Sequence, residues 1–325
     1  MSYIPSDTLA ERAARGELQA VGRLISRAEA GVPEVRPTLA AIYRRTGAAH
    51  VIGITGVAGS GKSTLVAGLA LRLRQAGDKV GIVAIDPSSP YSGGSILGDR
   101  IRMSELAADP GIFIRSMATR GALGGMARAT LEAVDILDLA GFDAIIIETV
   151  GVGQDEVEIA RASHTTIVVS APGLGDGIQA IKAGTLEIAD IHVVSKCDRS
   201  DADRTLMDLK QMLMLGHAAA ASTDWQVPVI GVSAYSGEGI DALVTAITRH
   251  RAVALRSAAG QTRRLAIADF RLRKTAENLL AERFAAVAAE GAPPLARRLA
   301  DRDADPYTLA RELVANLLAW ESKHE

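Results

Sequence analysis

The fold of this chain depends first on Gly56-Val57-Ala58-Gly59-Ser60-Gly61-Lys62-Ser63-Thr64. Residues 56–63 of this stretch match G-x-x-x-x-G-K-[ST], the pattern of a phosphate-binding loop. An apolar run at 50–55 precedes them, as in a buried strand, and residues 65–73 carry apolar side chains at helical spacing. A strand, a glycine-rich turn and a helix start bring several backbone N–H groups and the positive end of a helix together. The stretch therefore predicts a nucleoside-triphosphate site.

Each part of this loop has a predicted task. The glycines allow unusual backbone angles and a close approach of phosphate oxygens. Lys62 is predicted to reach the outer phosphates, and the Ser63 hydroxyl is predicted to bind the Mg²⁺ that neutralises them. We therefore expect all residues from Gly56 to Thr64 to line the phosphates.

Composition narrows the class of protein. The 325 residues carry a net charge of −2, and no dense Lys/Arg run is present, which disfavours nucleic acid or an anionic membrane as partner. No apolar stretch approaches the roughly 18–20 residues of a membrane span, and residues 1–15 lack the apolar core of a signal peptide. The single cysteine, Cys197, excludes an internal disulfide. We expect a cytoplasmic protein.

Strands and helices alternate through the middle of the chain. Predicted strands follow the first one at 79–86, 112–117, 144–149, 165–170, 191–195 and 228–233. Such apolar runs are typical of a parallel sheet with helices on both faces. The predicted fold class is α/β, a P-loop nucleotide-binding fold with a mostly parallel central sheet. The predicted domains are an N-terminal helical segment (1–48), the P-loop domain (49–254) and a C-terminal helical arm (255–325).

The C-terminal arm shows only helical patterns. Residues 262–287 and 306–320 read as two helices separated by a break at Gly291-Ala292-Pro293-Pro294. No sheet remains for these helices to cover, so we expect them to pack on a second copy of the chain. A helical cap on the same chain is the alternative.

Acidic residues end two predicted strands on the edge where ligands bind. Glu148 is a predicted Mg²⁺ partner, and the N–H of Gly151 could meet the terminal phosphate. Asp86 and Asp99 are further candidates for Mg²⁺ or its waters, although Asp99 could instead cap a helix. Arg120, in a later loop, could approach a phosphate or be a surface residue.

A base-reading motif follows a later strand. Ser195-Lys196-Cys197-Asp198 lies where GTP-binding proteins have N-K-x-D. The aspartate of that motif accepts two hydrogen bonds that guanine can donate and adenine cannot. Serine replaces the usual asparagine here, so Asp198 should keep guanine selectivity, with lower affinity. Ser233-Ala234-Tyr235 resembles the loop whose backbone N–H contacts the guanine oxygen.

The residue after Gly151 departs from many signalling GTPases. These carry a water-positioning glutamine there, whereas this chain has Val152. Valine cannot orient water, so hydrolysis should be slow until a partner completes the site.

Four motifs together resemble the MeaB/MMAA/ArgK family, the G-protein chaperones of cobalamin-dependent acyl-CoA mutases. They are the phosphate loop, Asp-Pro-Ser-Ser with Gly-Gly-Ser-Ile-Leu-Gly-Asp (86–99), Arg-Gly-Ala-Leu-Gly-Gly (120–125) and Glu-Thr-Val-Gly-Val-Gly-Gln (148–154). The resemblance implies a GTPase that binds GTP, GDP and Mg²⁺ and forms a homodimer through its C-terminal helices. It implies a partner, methylmalonyl-CoA mutase or a related adenosylcobalamin-dependent mutase, whose cofactor delivery the family gates and which it protects or reactivates.

Carried over to this sequence, the resemblance places Ser63, Asp86, Asp99 and Glu148 around Mg²⁺ and assigns Asp198 to guanine. The segment 172–182 looks like an additional switch loop toward the mutase, with Asp176 and Lys182 as its charged candidates. The alternatives are a nickel-inserting GTPase metallochaperone, which should carry a Cys/His cluster, an ATP-using P-loop kinase, and a nucleotide-bound scaffold without turnover.

Overall fold

A computed structural model describes residues 3–86, 106–118, 129–149, 155–173, 187–217 and 225–324. Its strands are β1 His50–Gly56, β2 Val80–Asp86, β3 Ile112–Ala118, β4 Ala144–Thr149, β5 Thr165–Ser170, β6 Ile191–Val194 and β7 Val229–Gly231. Its helices are α1 Ser6–Ala14, α2 Leu18–Ala30, α3 Val35–Tyr43, α4 Lys62–Gln75, α5 Thr130–Leu139, α6 Asp155–Ala162, α7 Ala202–His217, α8 Ile240–Arg256, α9 Ala258–Ala300 and α10 Pro306–His324.

The strands form one seven-stranded sheet in the order β3-β2-β4-β1-β5-β6-β7. Every pairing in it is parallel, with Ile54 of β1 opposite Glu148 of β4 and Ile167 of β5. β1, β4, β5 and β6 are buried along their whole length, which explains their unbroken apolar runs. The predicted fold class is therefore confirmed.

Helices cover both faces of the sheet. On one face, Leu65 and Leu69 of α4 and Leu243 of α8 join the strand side chains in one buried cluster. On the other face, α5 and α6 approach strand glycines closely, since a Cβ on Gly53 would lie 2.8 Å from a side-chain carbon of Ile159. The sheet is thus enclosed, and its carboxyl-terminal edge is left for ligands.

The N-terminal helices pack against the sheet's helical layer. α1, α2 and α3 all contact α5, and Arg115 on the edge strand β3 pairs with Glu29 on α2. α2 ends at Gly31, which has a left-handed φ of 64°, the conformation that glycine adopts readily after a helix.

The chain forms two compact units, residues 1–267 and 268–325. The three-part division at 48/49 and 254/255 stays a prediction. The break predicted at Gly291 to Pro294 is wrong, because α9 runs through it with Pro293 and Pro294 inside the helix. A proline inside a helix lacks an N–H donor, and its ring crowds the carbonyl four residues earlier, yet both prolines lie within this 43-residue helix. α10 also meets the segment, since a Cβ on Gly291 would lie 3.3 Å from Leu313 Cδ1.

Among the described residues, none of the helices is both long enough and apolar enough to cross a bilayer.

Candidate nucleotide site

The phosphate loop joins β1 to α4. Gly56 closes β1 with φ 139°, and a Cβ there would lie 2.1 Å from the carbonyl oxygen of Val169 on β5. Gly61, with φ 84°, caps the amino end of α4. At position 56 only glycine tolerates both the backbone angle and the close approach to β5. The N–H groups that begin α4 therefore face the loop, which is the geometry that binds phosphate.

Lys62 lies inside the curve of this loop. Its Nζ donates to the carbonyl oxygens of Gly56 at 2.8 Å and Val57 at 3.0 Å. The residue is only 6 % exposed. A buried ammonium held by carbonyls at the loop's centre is placed to meet phosphate oxygens.

Ser63 and Glu148 come together from neighbouring elements. Ser63 Oγ, in the first turn of α4, donates to Glu148 Oε1 at 2.6 Å. Glu148 is 6 % exposed and lies next to β1 in the sheet. A hydroxyl beside a carboxylate offers the hard oxygen ligands that Mg²⁺ prefers, so this pair fits the predicted metal.

The other predicted Mg²⁺ acids are less fully described. Asp86 ends β2, two residues beyond Ala84, which lies opposite Glu148 of β4. Its backbone thus lies on the correct edge of the sheet. Asp99 lies outside the described residues, as do Gly151, Asp176, Lys182 and Arg120.

The base-reading loop is fastened to the phosphate loop. Ser195, which is 3 % exposed, donates from its Oγ to Ser60 O, and Ser170 O lies 3.1 Å from the same hydroxyl. Lys196 has a left-handed φ of 57° and donates from Nζ to Gly59 O at 2.8 Å. Two consecutive residues of one loop therefore hold two consecutive carbonyls of the other.

Asp198 is held in its charged form. Ser233 Oγ donates to Asp198 Oδ1 at 2.7 Å, and this hydrogen bond lowers the pKa of the carboxyl group. Asp198 is exposed, so the carboxylate can accept hydrogen bonds from a base. Ser233 is fully buried, whereas Tyr235, two residues later, is 96 % exposed. The structure thus brings the two guanine motifs of the sequence together.

Cys197 in the same loop packs inward. Its Sγ lies 3.1 Å from Val194 O, and a Cβ added to Gly231 would come within 2.9 Å of the sulfur. Burial raises the pKa of this thiol, which favours a neutral packing residue.

Sequence reasoning missed the residues that support these loops from behind. Ser170 ends β5 and accepts from Ser195 N at 2.8 Å, and Thr149 donates to Thr55 Oγ1 at 3.0 Å between β4 and β1. Ser170 acts through its backbone carbonyl oxygen, which no sequence pattern marks, and the only sequence signal of Thr149 is a hydroxyl at the end of an apolar strand. Such a signal does not say which loop the hydroxyl serves.

Comparisons with known proteins agree with this geometry. A family profile described as methylmalonyl-CoA mutase-associated GTPase MeaB matches residues 21–289. A protein of Pyrococcus abyssi, provisionally named as a GTPase, is 41 % identical over 313 residues, which cover 96 % of this chain and 97 % of the relative. GTPase ArgK of Escherichia coli is 40 % identical over 197 residues, or 60 % of each chain. The crystal structure of a LAO/AO transport system kinase covers 97 % of this chain and 99 % of its own, with TM-score 0.68 and 27 % identity.

Proposed function

We propose that this chain, which belongs to the MeaB family of methylmalonyl-CoA mutase-associated GTPases, is a chaperone of an adenosylcobalamin-dependent acyl-CoA mutase. It gates the delivery of adenosylcobalamin to the mutase and protects or reactivates that enzyme, with GTP hydrolysis as the gate. The observation that carries this proposal is the joined pair of loops, in which Ser195 and Lys196 bond to the phosphate loop. A base reader tied to a phosphate loop suits a switch driven by guanine nucleotide.

The chemistry of the gate is hydrolysis of GTP. Water attacks the terminal phosphorus, the bond to the bridging oxygen breaks, and GDP and inorganic phosphate are released. Lys62 and the N–H groups of the phosphate loop stabilise the charge that develops on the phosphate oxygens. A bound Mg²⁺ would neutralise those oxygens further. Ser63 and Glu148 would hold the ion, with Asp86 and Asp99 as the further candidates.

Slow intrinsic turnover is part of the proposal. Val152 follows Gly151, and an aliphatic side chain gives no hydrogen bond to an attacking water. A mutase that supplies this contact would accelerate hydrolysis and so time the transfer of its own cofactor. Asp176 and Lys182 are the proposed residues of the switch that faces the mutase.

The first experiment measures binding of GDP, a non-hydrolysable GTP analogue and an ATP analogue to the wild type and Asp198→Asn. We expect the wild type to prefer guanine nucleotides and the variant to bind GDP at least tenfold more weakly, since it loses charged hydrogen bonds. Xanthosine diphosphate should bind the variant better than the wild type. Its ring has a carbonyl where guanine has an amino group, and the asparagine amide can donate to it.

The second experiment measures GTP turnover with and without a purified adenosylcobalamin-dependent mutase. Stimulation by the mutase, and its loss in Asp176→Ala or Lys182→Ala, would support the gate. Turnover unaffected by the mutase would leave a GTPase with another role. A wild type that prefers ATP would point to a phosphoryl-transfer enzyme, and nickel retained through purification would point to a metallochaperone.

The proposal also covers the oligomeric state and the cellular location of the protein. We propose a homodimer joined through the C-terminal helices, working in the cytoplasm, with neither nucleic acid nor membrane as partner. Apolar side chains exposed on the second unit support the dimer: Leu272, Leu279, Leu280, Phe284, Leu299 and Val314.

A further inference from the structure

A buried polar cluster lies at the amino-terminal edge of the sheet, opposite the nucleotide loops. We name it the basal cluster, and it consists of Thr165, Thr166, Asp190, His250 and Arg263. Asp190, just before β6, is its centre. Its Oδ1 lies 2.8 Å from Arg263 Nη1 and 3.3 Å from His250 Nε2, and its Oδ2 accepts from the N–H of Thr166 at 2.7 Å. The cluster thus joins two strands to helices α8 and α9.

Arg263, in the second turn of α9, uses its whole guanidinium group in this cluster. Besides its bond to Asp190, Nε donates to Ser163 O and Nη2 donates to Thr166 Oγ1, both at 3.1 Å. The planar fork therefore spans the start of β5 and the start of β6. A lysine, with a single ammonium group, could not reproduce this set of bonds.

Asp190 remains ionised, and hydrogen bonds extend the basal cluster to β1. Burial would raise the pKa of Asp190, but the hydrogen bond with His250 and the charge of Arg263 outweigh it, and the pKa is lowered. The Thr165 hydroxyl lies 2.8 Å from His250 Nδ1 and 2.8 Å from His50 Nε2. Hydrogen bonds thus connect the starts of β1, β5 and β6.

The same strands contact the nucleotide loops at their other ends. Ser170 O, at the end of β5, accepts from Ser195, which directly follows β6. Val169 O, also on β5, would lie 2.1 Å from a Cβ added to Gly56 at the start of the phosphate loop. β5 has six residues, so about 17 Å of extended strand separates Thr165 from Ser170.

We propose that Arg263 is a positioning residue for the nucleotide site. By holding the starts of β5 and β6 in register, it holds their far ends, and through them Ser195 and the base-reading loop, against the phosphate loop. Coupling between two sites is reciprocal. Bound nucleotide therefore stabilises the contacts that the basal cluster makes with the first turns of α9. This inference rests on the proposed guanine-nucleotide site and adds a control point at the opposite edge of the sheet.

The test compares GDP release from the full-length wild type with release from Arg263→Gln and Arg263→Lys, using a fluorescent GDP analogue. We expect release to be about tenfold faster in Arg263→Gln and only partly restored by lysine. The matched control is Arg264→Gln, which removes an exposed neighbouring arginine on the same helix and should release GDP at the wild-type rate.

A second control and a second measurement distinguish positioning of the nucleotide site from a general loss of stability. Leu9→Ala removes a fully buried side chain from α1, and it should lower the melting temperature without changing GDP release. In the wild type, GDP should slow amide hydrogen exchange of residues 259–267, and Arg263→Gln should abolish that effect. If Arg263→Gln fails to fold, Thr166→Val, which removes one bond to Arg263, takes its place in both measurements.

The outcomes are distinct. A wild type that binds GDP, together with variants that melt earlier but release GDP at the wild-type rate, would overturn the positioning role. A wild type that does not bind GDP would overturn the proposed function instead.

Discussion

Ser195 joins two loops through one buried hydroxyl group. The residue stands where guanine-reading motifs usually have asparagine, and the sequence suggests weaker binding for that reason. In the structure its Oγ bonds to Ser60 O, 135 positions away along the chain, and also lies within reach of Ser170 O. A short side chain thus fastens the base-reading loop directly to the phosphate loop.

Removing this hydroxyl should weaken nucleotide binding. We expect Ser195→Ala to raise the dissociation constant for GDP about fivefold, because one buried hydrogen bond contributes roughly 1 kcal/mol. Calorimetric titration with GDP measures the change. The control is Ser200→Ala, which alters an exposed serine of the same loop. Equal affinities of Ser195→Ala and the wild type would show that the contact does not support the site.

At the scale of elements, the contact between β1 and β5 sets the entrance of the phosphate loop. We expect Gly56→Ala to destabilise the protein by at least about 3 kcal/mol, since its Cβ would meet Val169 O at 2.1 Å in a left-handed backbone. Urea unfolding followed by circular dichroism measures the loss.

A second glycine separates the clash from the backbone strain. Gly47 has φ 119°, and a Cβ there would meet nothing within 4 Å. Gly47→Ala should therefore cost only the strain, about 1 kcal/mol. If both variants lose the same stability, the close approach to Val169 is not what requires glycine at position 56.

The elements also show where sequence patterns succeed and fail. All seven strands lie within two residues of their predicted ends, because a strand buried on both faces must be apolar throughout. The paired prolines at 293–294 misled the prediction, since they usually end a helix but here lie inside α9. A rule based on local sequence does not include the contact of this segment with Leu313 of α10.

At the scale of the whole molecule, two stacked histidines make stability depend on pH. Burial lowers the pKa of His50 to about 3, with a further contribution from the charge of His164, and burial with the charge of Arg263 lowers that of His164 to about 4. Their rings lie 6.1 Å apart, and His164 Nδ1 accepts from Val51 N at 3.0 Å. The folded protein therefore holds both rings neutral.

Stability should fall as pH drops below about 6.5, where the histidines of the unfolded chain begin to bind protons that the folded chain does not. The loss continues until the pH reaches the folded pKa values of about 4 and about 3. Each histidine should contribute up to about 1.4 kcal/mol per pH unit. The free energy of unfolding in urea between pH 7.5 and 5 measures the slope.

The variant His164→Asn tests the assignment. Asparagine keeps an acceptor for Val51 N but does not titrate. The pH slope should therefore drop by about half, while stability near pH 7.5 changes less. A slope equal to that of the wild type would assign the acid sensitivity to other groups.

The second unit should determine the state of assembly. Leu272 and Leu280 of α9 are 71 % and 56 % exposed and belong to a group of exposed apolar side chains on this unit; exposed apolar groups of this kind mark interaction sites. We expect the 34.0 kDa chain to be dimeric by light scattering and the double variant Leu272→Glu/Leu280→Glu to be monomeric. Leu71→Glu, at an exposed leucine of α4, should leave the dimer intact. A monomeric wild type would contradict the homodimer.

The sequence alone predicted the order of strands and helices along the chain, the phosphate loop, and the placement of Glu148, Ser195 and Asp198 at or just after strand ends. These features depend on local patterns, namely apolar runs, glycines at fixed spacing and polar residues at strand ends. Tertiary structure decided which of these residues meet. Ser195 with Ser60, Ser63 with Glu148 and Asp190 with Arg263 are pairs 135, 85 and 73 positions apart. Parallel pairing of separate strands brings such residues to one edge, and the packing of α8 and α9 completes the other.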